Sequence, residues 1–402
     1  MTTRRVLTIA TLLSAGALAL PGAAPAAYPG RNGEIAFTST QDGGARHIFA
    51  ATGPGFVDLT GASSSAADTQ PKFSPDGREI LFTRSAPGLP NTEIFVMGAN
   101  GTQVTQLTRT PSGNGDATWS PDGTQIAFVS ARDDEIPNIF IMRADGTDVR
   151  QITHDTAGKS ELAWSPKGDR IAFVRVPAGG GDSDIYSVKT NGSGLADLSN
   201  DPASYDLDPA WSPDGTRLAY SGPLQPGESV GMDLWIMYAD GSGRHALVHE
   251  NNKYSDGGYP AWSPDGATIA FTANNGTGYY HVWSIPVSGG QNAELITNKL
   301  PGGNPVDQQV DWQPAPTHEV PKTRIARVVI RERAASFVFA GTGPATAYRC
   351  SLREGKHEAT VRRCSSPVTY GRLKPGRYTF SVIASAPNEP YRTPARRAFT
   401  VR

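Results

Sequence analysis

The stretch W-S-P-D-G-T-Q-I-A-F-V-S, residues 119–130, decides how the rest of the chain is read. Pro121 presets the backbone at the second position of a tight turn, and Gly123 closes it. The following Q-I-A-F-V-S is apolar on both faces, which describes a strand covered on both sides. The unit returns as F-S-P-D-G-R-E-I-L-F from Phe73, W-S-P-K-G-D-R-I-A-F from Trp164, W-S-P-D-G-T-R-L-A-Y from Trp211 and W-S-P-D-G-A-T-I-A-F from Trp262. A worn copy, D-W-Q-P, places Trp312, and the aromatic positions are 46, 45, 47, 51 and 50 residues apart. A steady period in this range signals a repeat architecture, and four strands per repeat is the propeller arrangement.

Working outward, each buried strand is followed by a second apolar run: E-I-F-V-M, N-I-F-I-M, D-I-Y-S-V, D-L-W-I-M or H-V-W-S-I. A hairpin turn (A-N-G-T, A-D-G-T, T-N-G-S, A-D-G-S) and a short outer strand such as V-T-Q-L-T or V-R-Q-I-T complete most units. The unit at G-E-I-A-F-T-S lacks its inner strand, and the strand Q-Q-V-D-W-Q-P has no unit after it. Residues 308–312 therefore complete the sheet begun at 33–60. The expectation is an all-β chain with a six-bladed propeller closed by a non-covalent clasp, which hides strand edges.

Over roughly residues 30–314 these repeats resemble the TolB-type, WD-like PD40 propeller built on P-x-W-S-P-D-G-x-x-I-A-F. That resemblance implies binding or scaffolding in the bacterial envelope. Similar blades also form the gating propeller of prolyl-oligopeptidase-like peptidases and occur in some polysaccharide lyases. The tail resembles a small immunoglobulin- or fibronectin-like β-sandwich of secreted actinobacterial proteins. The residues that carry this likeness are Cys350-Ser351-Leu352, Cys364, Ser366-Pro367, Tyr370, Leu373, Gly376 and Thr379 to Val382.

Composition agrees with many short strands: 402 residues hold 44 Gly and 32 Pro, and 19% are charged. Residues 1–27 open with Arg4-Arg5, continue through an apolar run to Leu20 and reach Ala24-Pro25-Ala26, the pattern of a secretory signal peptide. The domains expected are thus the signal at 1–27, the propeller at 28–316 and the sandwich at 317–402. In an exported chain the two cysteines, Cys350 and Cys364, are expected to form a disulfide. No apolar run after the signal is long enough to span a membrane.

The net charge of −1 conceals a division. Residues 28–319 hold 18 Lys and Arg against 34 Asp and Glu, 18 − 34 = −16, and residues 320–402 hold 17 against 4, 17 − 4 = +13. The tail has basic pairs at Arg362-Arg363 and Arg396-Arg397 but no aromatic stacking platform, so nucleic acid is not expected as a partner. A solvated surface, an anionic cell-wall polymer and the acidic propeller remain open as readings of that charge.

Three sets of residues invite a chemical reading. G-E-S-V-G, residues 227–231, matches the nucleophile-elbow pattern, but Ser229 lies in a Pro/Gly-rich loop between strands with no α/β hydrolase sheet around it. His47, Glu93, Asn138, Asp184, Asp233 and His281 share one column before the second apolar run, and read as polar caps of a strand end rather than zinc ligands. Just before each aromatic stand two further columns: Gln70, Asp116, Glu161, Asp208, Tyr259 and Gln309 three residues upstream, and Asp68, Asn114, Lys159, Asp206, Gly257 and Asp307 five upstream. Inner strands converge on a central channel, so Asp68, Asp116, Glu161, Asp206, Asp208 and Asp307 are expected at its mouth. There they bind nearby N–H groups and water, or a hard cation such as Ca²⁺, or a cationic ligand.

No catalytic residue is assigned. The sequence reads as a monomeric, secreted or cell-envelope binding protein that holds an envelope protein, a peptide or a cell-wall glycan. The alternative is a propeller-based polysaccharide lyase or glycoside hydrolase using the mouth carboxylates.

Overall fold

The S-P-D-G turns form as their chemistry requires. In the computed structural model, Gly77, Gly123, Gly168, Gly215 and Gly266 have φ between 64° and 74°, a backbone that a Cβ disfavours. Serine and aspartate complete each turn: Ser74 Oγ donates to Asp76 Oδ1 at 2.7 Å and accepts the Glu79 N–H at 2.9 Å. The structure describes residues 32–40, 45–52, 55–61, 65–133, 135–200, 204–223, 232–247, 255–274, 279–289, 293–297, 306–314, 323–341, 347–355, 362–385 and 395–401. The signal-peptide reading and Ser229 lie outside these residues.

Among the described residues all regular structure is strand, and residues 32–314 form six four-stranded antiparallel sheets. One sheet runs, from inside out, Ala67–Phe73, Glu79–Ser85, Glu93–Gly98 and Thr105–Gln106. The predicted clasp is present. Gln308–Pro314 is the inner strand of the sheet continued by Asn32–Ser39, His47–Thr52 and Gly55–Asp58, with Trp312 opposite Ile35. Each inner strand touches the inner strand of the next sheet, and the last of them, Gln308–Pro314, touches the Ala67–Phe73 strand, so the series closes.

The repeated aromatics explain how the sheets pack. In every sheet an aromatic of the second strand faces one on the third: Phe37 and Phe49, Phe82 and Phe95, Phe128 and Phe140, Phe173 and Tyr186, Tyr220 and Trp235, Phe271 and Trp283. Between sheets, Ile139 and Ile141 of one share a core with Trp164, Ile171 and Phe173 of the next. In three of the sheets the motif tryptophan adds a polar staple, because its indole N–H reaches the preceding sheet. Trp119 donates to the Lys72 carbonyl at 3.2 Å, and Trp211 and Trp262 donate to those of Ala163 and Ala210 at 3.1 Å.

The tail forms two sheets, one of Thr323–Arg331, Ala334–Gly341 and Val368–Tyr370, the other of Arg362–Cys364, Ala347–Glu354, Gly376–Ser385 and Ala395–Val401. They share one core, in which the rings of Phe337 and Phe380 stack 3.9 Å apart and Phe399 closes edge-on. Cys350 and Cys364 are disulfide-bonded. Among the described residues no helix is long and apolar enough to cross a membrane.

Candidate functional site

Every inner strand carries the same irregularity. Pairing with the second strand skips between Thr69 and Lys72, Gly115 and Thr118, Ser160 and Ala163, Leu207 and Ala210, and Gly258 and Ala261. Within each skip one non-glycine residue takes the left-handed backbone: Gln70 (58°), Asp116 (50°), Glu161 (56°), Asp208 (54°) and Tyr259 (52°), joined by Gln309 (55°) in the clasp strand. Such a backbone costs on the order of 1–3 kcal/mol and persists only where its surroundings hold it. The bulge turns these six side chains onto the axis, where they line a cavity of about 60 Å³ together with Lys72 and Pro71, Pro209 and Pro260.

What holds the strained backbone is a hydrogen-bond chain around the ring. At five of the six bulges the N–H freed from the ladder is accepted by the preceding ring side chain. Gln309 Oε1 accepts the Gln70 N–H at 3.0 Å, and Gln70 Oε1 accepts that of Asp116 at 3.2 Å. Asp116 accepts the Glu161 backbone N–H. Glu161 Oε2 accepts the Asp208 N–H at 2.6 Å, and Asp208 Oδ2 accepts that of Tyr259 at 3.1 Å. Gln70 Nε2 also donates to Asp116 Oδ1, and Ser221 Oγ donates to Asp208 Oδ2 at 3.0 Å.

Three carboxyls therefore stand side by side on one half of the ring. Burial pushes Glu161 well above the usual carboxylate range, and the charges of Asp208 and Asp116 push it further. Burial also raises Asp116 and Asp208, opposed for Asp116 by the Glu161 N–H and Gln70, and for Asp208 by the Tyr259 N–H and Ser221. The Tyr259 phenol is raised by burial and then by Asp208 and Glu161. Lys72, 3.6 Å from Asp311, lowers the carboxyls of Asp116 and Asp208.

The mouth expected from sequence thus divides. Asp116, Glu161 and Asp208 line the cavity; Asp68, Asp206 and Asp307 do not, and are completely buried between or within sheets. Strict strand alternation would put both columns on one face, but the bulge breaks the period and sends only the nearer column to the axis. Asp68 makes a two-point bond with Arg84 at 2.6 and 2.8 Å. Asp206 accepts from Ser204 Oγ at 2.9 Å and lies 3.5 Å from Arg244; burial pushes it up to about 6. Asp307 lies 3.7 Å from His281 Nδ1.

The farther column instead meets the polar column of the preceding sheet. The backbone N–H groups of Asp68, Asn114, Lys159, Asp206 and Asp307 bond to Arg46, Thr92, Pro137, Ser183 and Tyr280 carbonyls, each one residue before His47, Glu93, Asn138, Asp184 and His281. Side chains follow: Asn114 Nδ2 donates to Glu93 Oε2 and Lys159 Nζ to Asn138 Oδ1, both at 2.8 Å. A third member went unread in the sequence. Thr60, Thr108, Thr153, Ser199 and Thr297 accept the N–H of Ile48, Ile94, Ile139, Ile185 and Val282 at 2.9–3.1 Å. Thr108 Oγ1 then donates to Glu93 Oε2 at 2.6 Å. The recurring D-L-T, Q-L-T, Q-I-T, D-L-S and L-I-T was the available signal.

Among the described residues no three carboxylate, imidazole or thiolate side chains stand close enough together to hold a metal ion. The ring oxygens accept backbone N–H groups, the first of the three uses the sequence left open.

Residues 60–259 match the family described as PD40, TolB beta propeller domain. The chain carries a TolB-type β-propeller domain. Among solved structures, TolB from Acinetobacter baumannii is similar with a TM-score of 0.57 at 17% identity, over 70% of this chain and 66% of that one. Hydrazine synthase from Kuenenia stuttgartiensis aligns with a TM-score of 0.58 at 12% identity, over 88% of this chain and 66% of that one. These likenesses are of fold. The uncharacterized peptidase YuxL of Bacillus subtilis is 36% identical over 58 residues, 14% of this chain and 9% of that protein. This chain therefore spans less than two thirds of each of these three relatives.

Proposed function

We propose that this TolB-type domain is a six-bladed, non-catalytic binding propeller of the bacterial envelope, followed from residue 317 by an immunoglobulin-like sandwich. The hydrogen-bonded ring carries this reading. Each ring carboxyl uses an oxygen to accept an N–H of a neighbouring sheet, a role in closure of the propeller rather than in acid–base chemistry. A cavity of about 60 Å³ has room for a few waters, against roughly 300–1,000 Å³ for a small-molecule pocket. A sugar cannot enter it, so glycan, peptide or protein would be held at the mouth and on the surrounding loops. The carboxyl-bearing half of the mouth suits a cationic or amide-bearing end of such a ligand. The disulfide and the envelope-type relatives support an extracytoplasmic location.

The experiment is capture of envelope proteins and glycans on the immobilised chain, with turnover of a panel of cell-wall glycans and galacturonans followed in parallel. Saturable binding without turnover supports the reading. Turnover that disappears in Asp208→Asn replaces it with the lyase or hydrolase alternative.

A further inference from the structure

The tail holds a surface that the propeller's use does not account for. In its four-stranded sheet, Cys350, Tyr378, Phe380, Val382, Phe399 and Val401 face the shared core. Alternation sends the residues between them outward. The outward residues include Arg353, Arg377 and Arg396, all exposed, with Ser351, Thr379, Ser381, Ala398 and Thr400 between them. Register sets Arg353 opposite Thr379 and so diagonal to Arg377, and sets Arg396 opposite Ser381.

Two features of this face point to a ligand. Arg353 and Arg377 are diagonal neighbours within reach of long side chains, so their like charges repel unless something of opposite charge lies over them. No ion pair among the described residues engages Arg353, Arg377 or Arg396, and no carboxylate shares their outward positions. The basic residues are also of one kind: 14 of the 17 in residues 320–402 are arginine. Arginine's planar fork meets phosphate oxygens in pairs, whereas lysine acts as a point charge. Outward residues on one strand stand about 6.6 Å apart and strands about 4.8 Å apart, so Arg353 and Arg377 lie roughly 8 Å apart, with Arg396 two strands from Arg353, a spread of charge suited to an extended chain.

We propose that this arginine face binds an extended phosphodiester polymer of the envelope, tethering the propeller to it. The claim goes beyond the propeller's own ligand and stands or falls separately. It is tested on the full chain with poly(glycerol phosphate) as probe, by equilibrium binding at several salt concentrations. Arg353→Ser/Arg377→Ser/Arg396→Ser should weaken binding at least tenfold and flatten its salt dependence. Arg143→Ser/Lys167→Ser/Lys189→Ser, which removes the same charge from the exposed propeller surface, should change it less than twofold. A tail triple that binds like the parent overturns the proposal. So does equal loss in both triples, equal affinity for polygalacturonate, or binding only to phosphatidylglycerol vesicles. Unchanged thermal unfolding of the tail triple guards against misfolding, and Arg353→Gln/Arg377→Gln/Arg396→Gln gives a second, milder reading of the same surface.

Discussion

Asp208 separates a ring built for closure from a ring built for chemistry. Its Oδ2 accepts the Tyr259 N–H at 3.1 Å and the Ser221 hydroxyl at 3.0 Å, and its carboxyl is buried beside Glu161. Asp208→Ala orphans both donors. Each buried unmade bond costs about 1–3 kcal/mol, so the expected loss is about 2–6 kcal/mol. Asp208→Asn keeps an oxygen for those donors and removes a charge that burial disfavours. The native carboxyl is raised, so the wild type loses stability as pH climbs through its native titration range, and the Asn variant does not. Urea unfolding at pH 5 and pH 8 should therefore rank Asn at or above wild type, with the gap wider at pH 8, and Ala well below both. Ala and Asn variants within about 0.5 kcal/mol of each other at pH 8 would mean that the side chain does not hold the bulge, and the reasoning would fail.

Asp206 gives a second pH signature. Its carboxyl is pushed from 3.8 to about 6, chiefly by burial. Stability should fall by about 3 kcal/mol as pH rises between those values and then level off, and Asp206→Asn should abolish that slope. Trp211→Phe removes the indole bond to the Ala163 carbonyl at 3.1 Å while keeping the aromatic packing. Chemical denaturation should report a loss of about 1–2 kcal/mol. Replacing Cys350 and Cys364 by serine opens a loop of 14-residue separation. This should cost the tail about 3 kcal/mol, read as faster proteolysis after residue 320 with the propeller fragment left intact.

The repeat was legible because S-P-D-G and its following strand combine turn chemistry with double-sided burial, and few structures use both every 45 to 51 residues. The clasp followed from a missing inner strand at one end and a spare one at the other. The site was half legible. Columns of acids upstream of each aromatic could be aligned, but not which column faces the axis. That is set by a bulge at Gln70, Asp116, Glu161, Asp208, Tyr259 and Gln309, where none of the residues is glycine and nothing local announces a positive φ. The farther column read as mouth acids because its partners, His47 to His281, lie in another repeat. Only packing brings Glu93 to Asn114 and Asn138 to Lys159.

Within the ring, the fold's need and its surplus can be told apart. Gln70 and Gln309 accept a neighbour's N–H as Asp116, Glu161 and Asp208 do, at 3.2 and 3.0 Å, and they do so without charge. Closure therefore requires an oxygen, not a carboxylate. Asp208 and Asp116 raise Glu161, and Asp116 raises Asp208, a cost that glutamine would avoid. Lys72 offsets part of it from inside the channel. Charge in excess of what closure demands, gathered on one half of a mouth otherwise lined by amide, phenol and proline, is an asymmetry the six-fold architecture does not create. It is the feature of the channel free to have been shaped by what approaches it, as the acid-free arginine face is the corresponding feature of the tail.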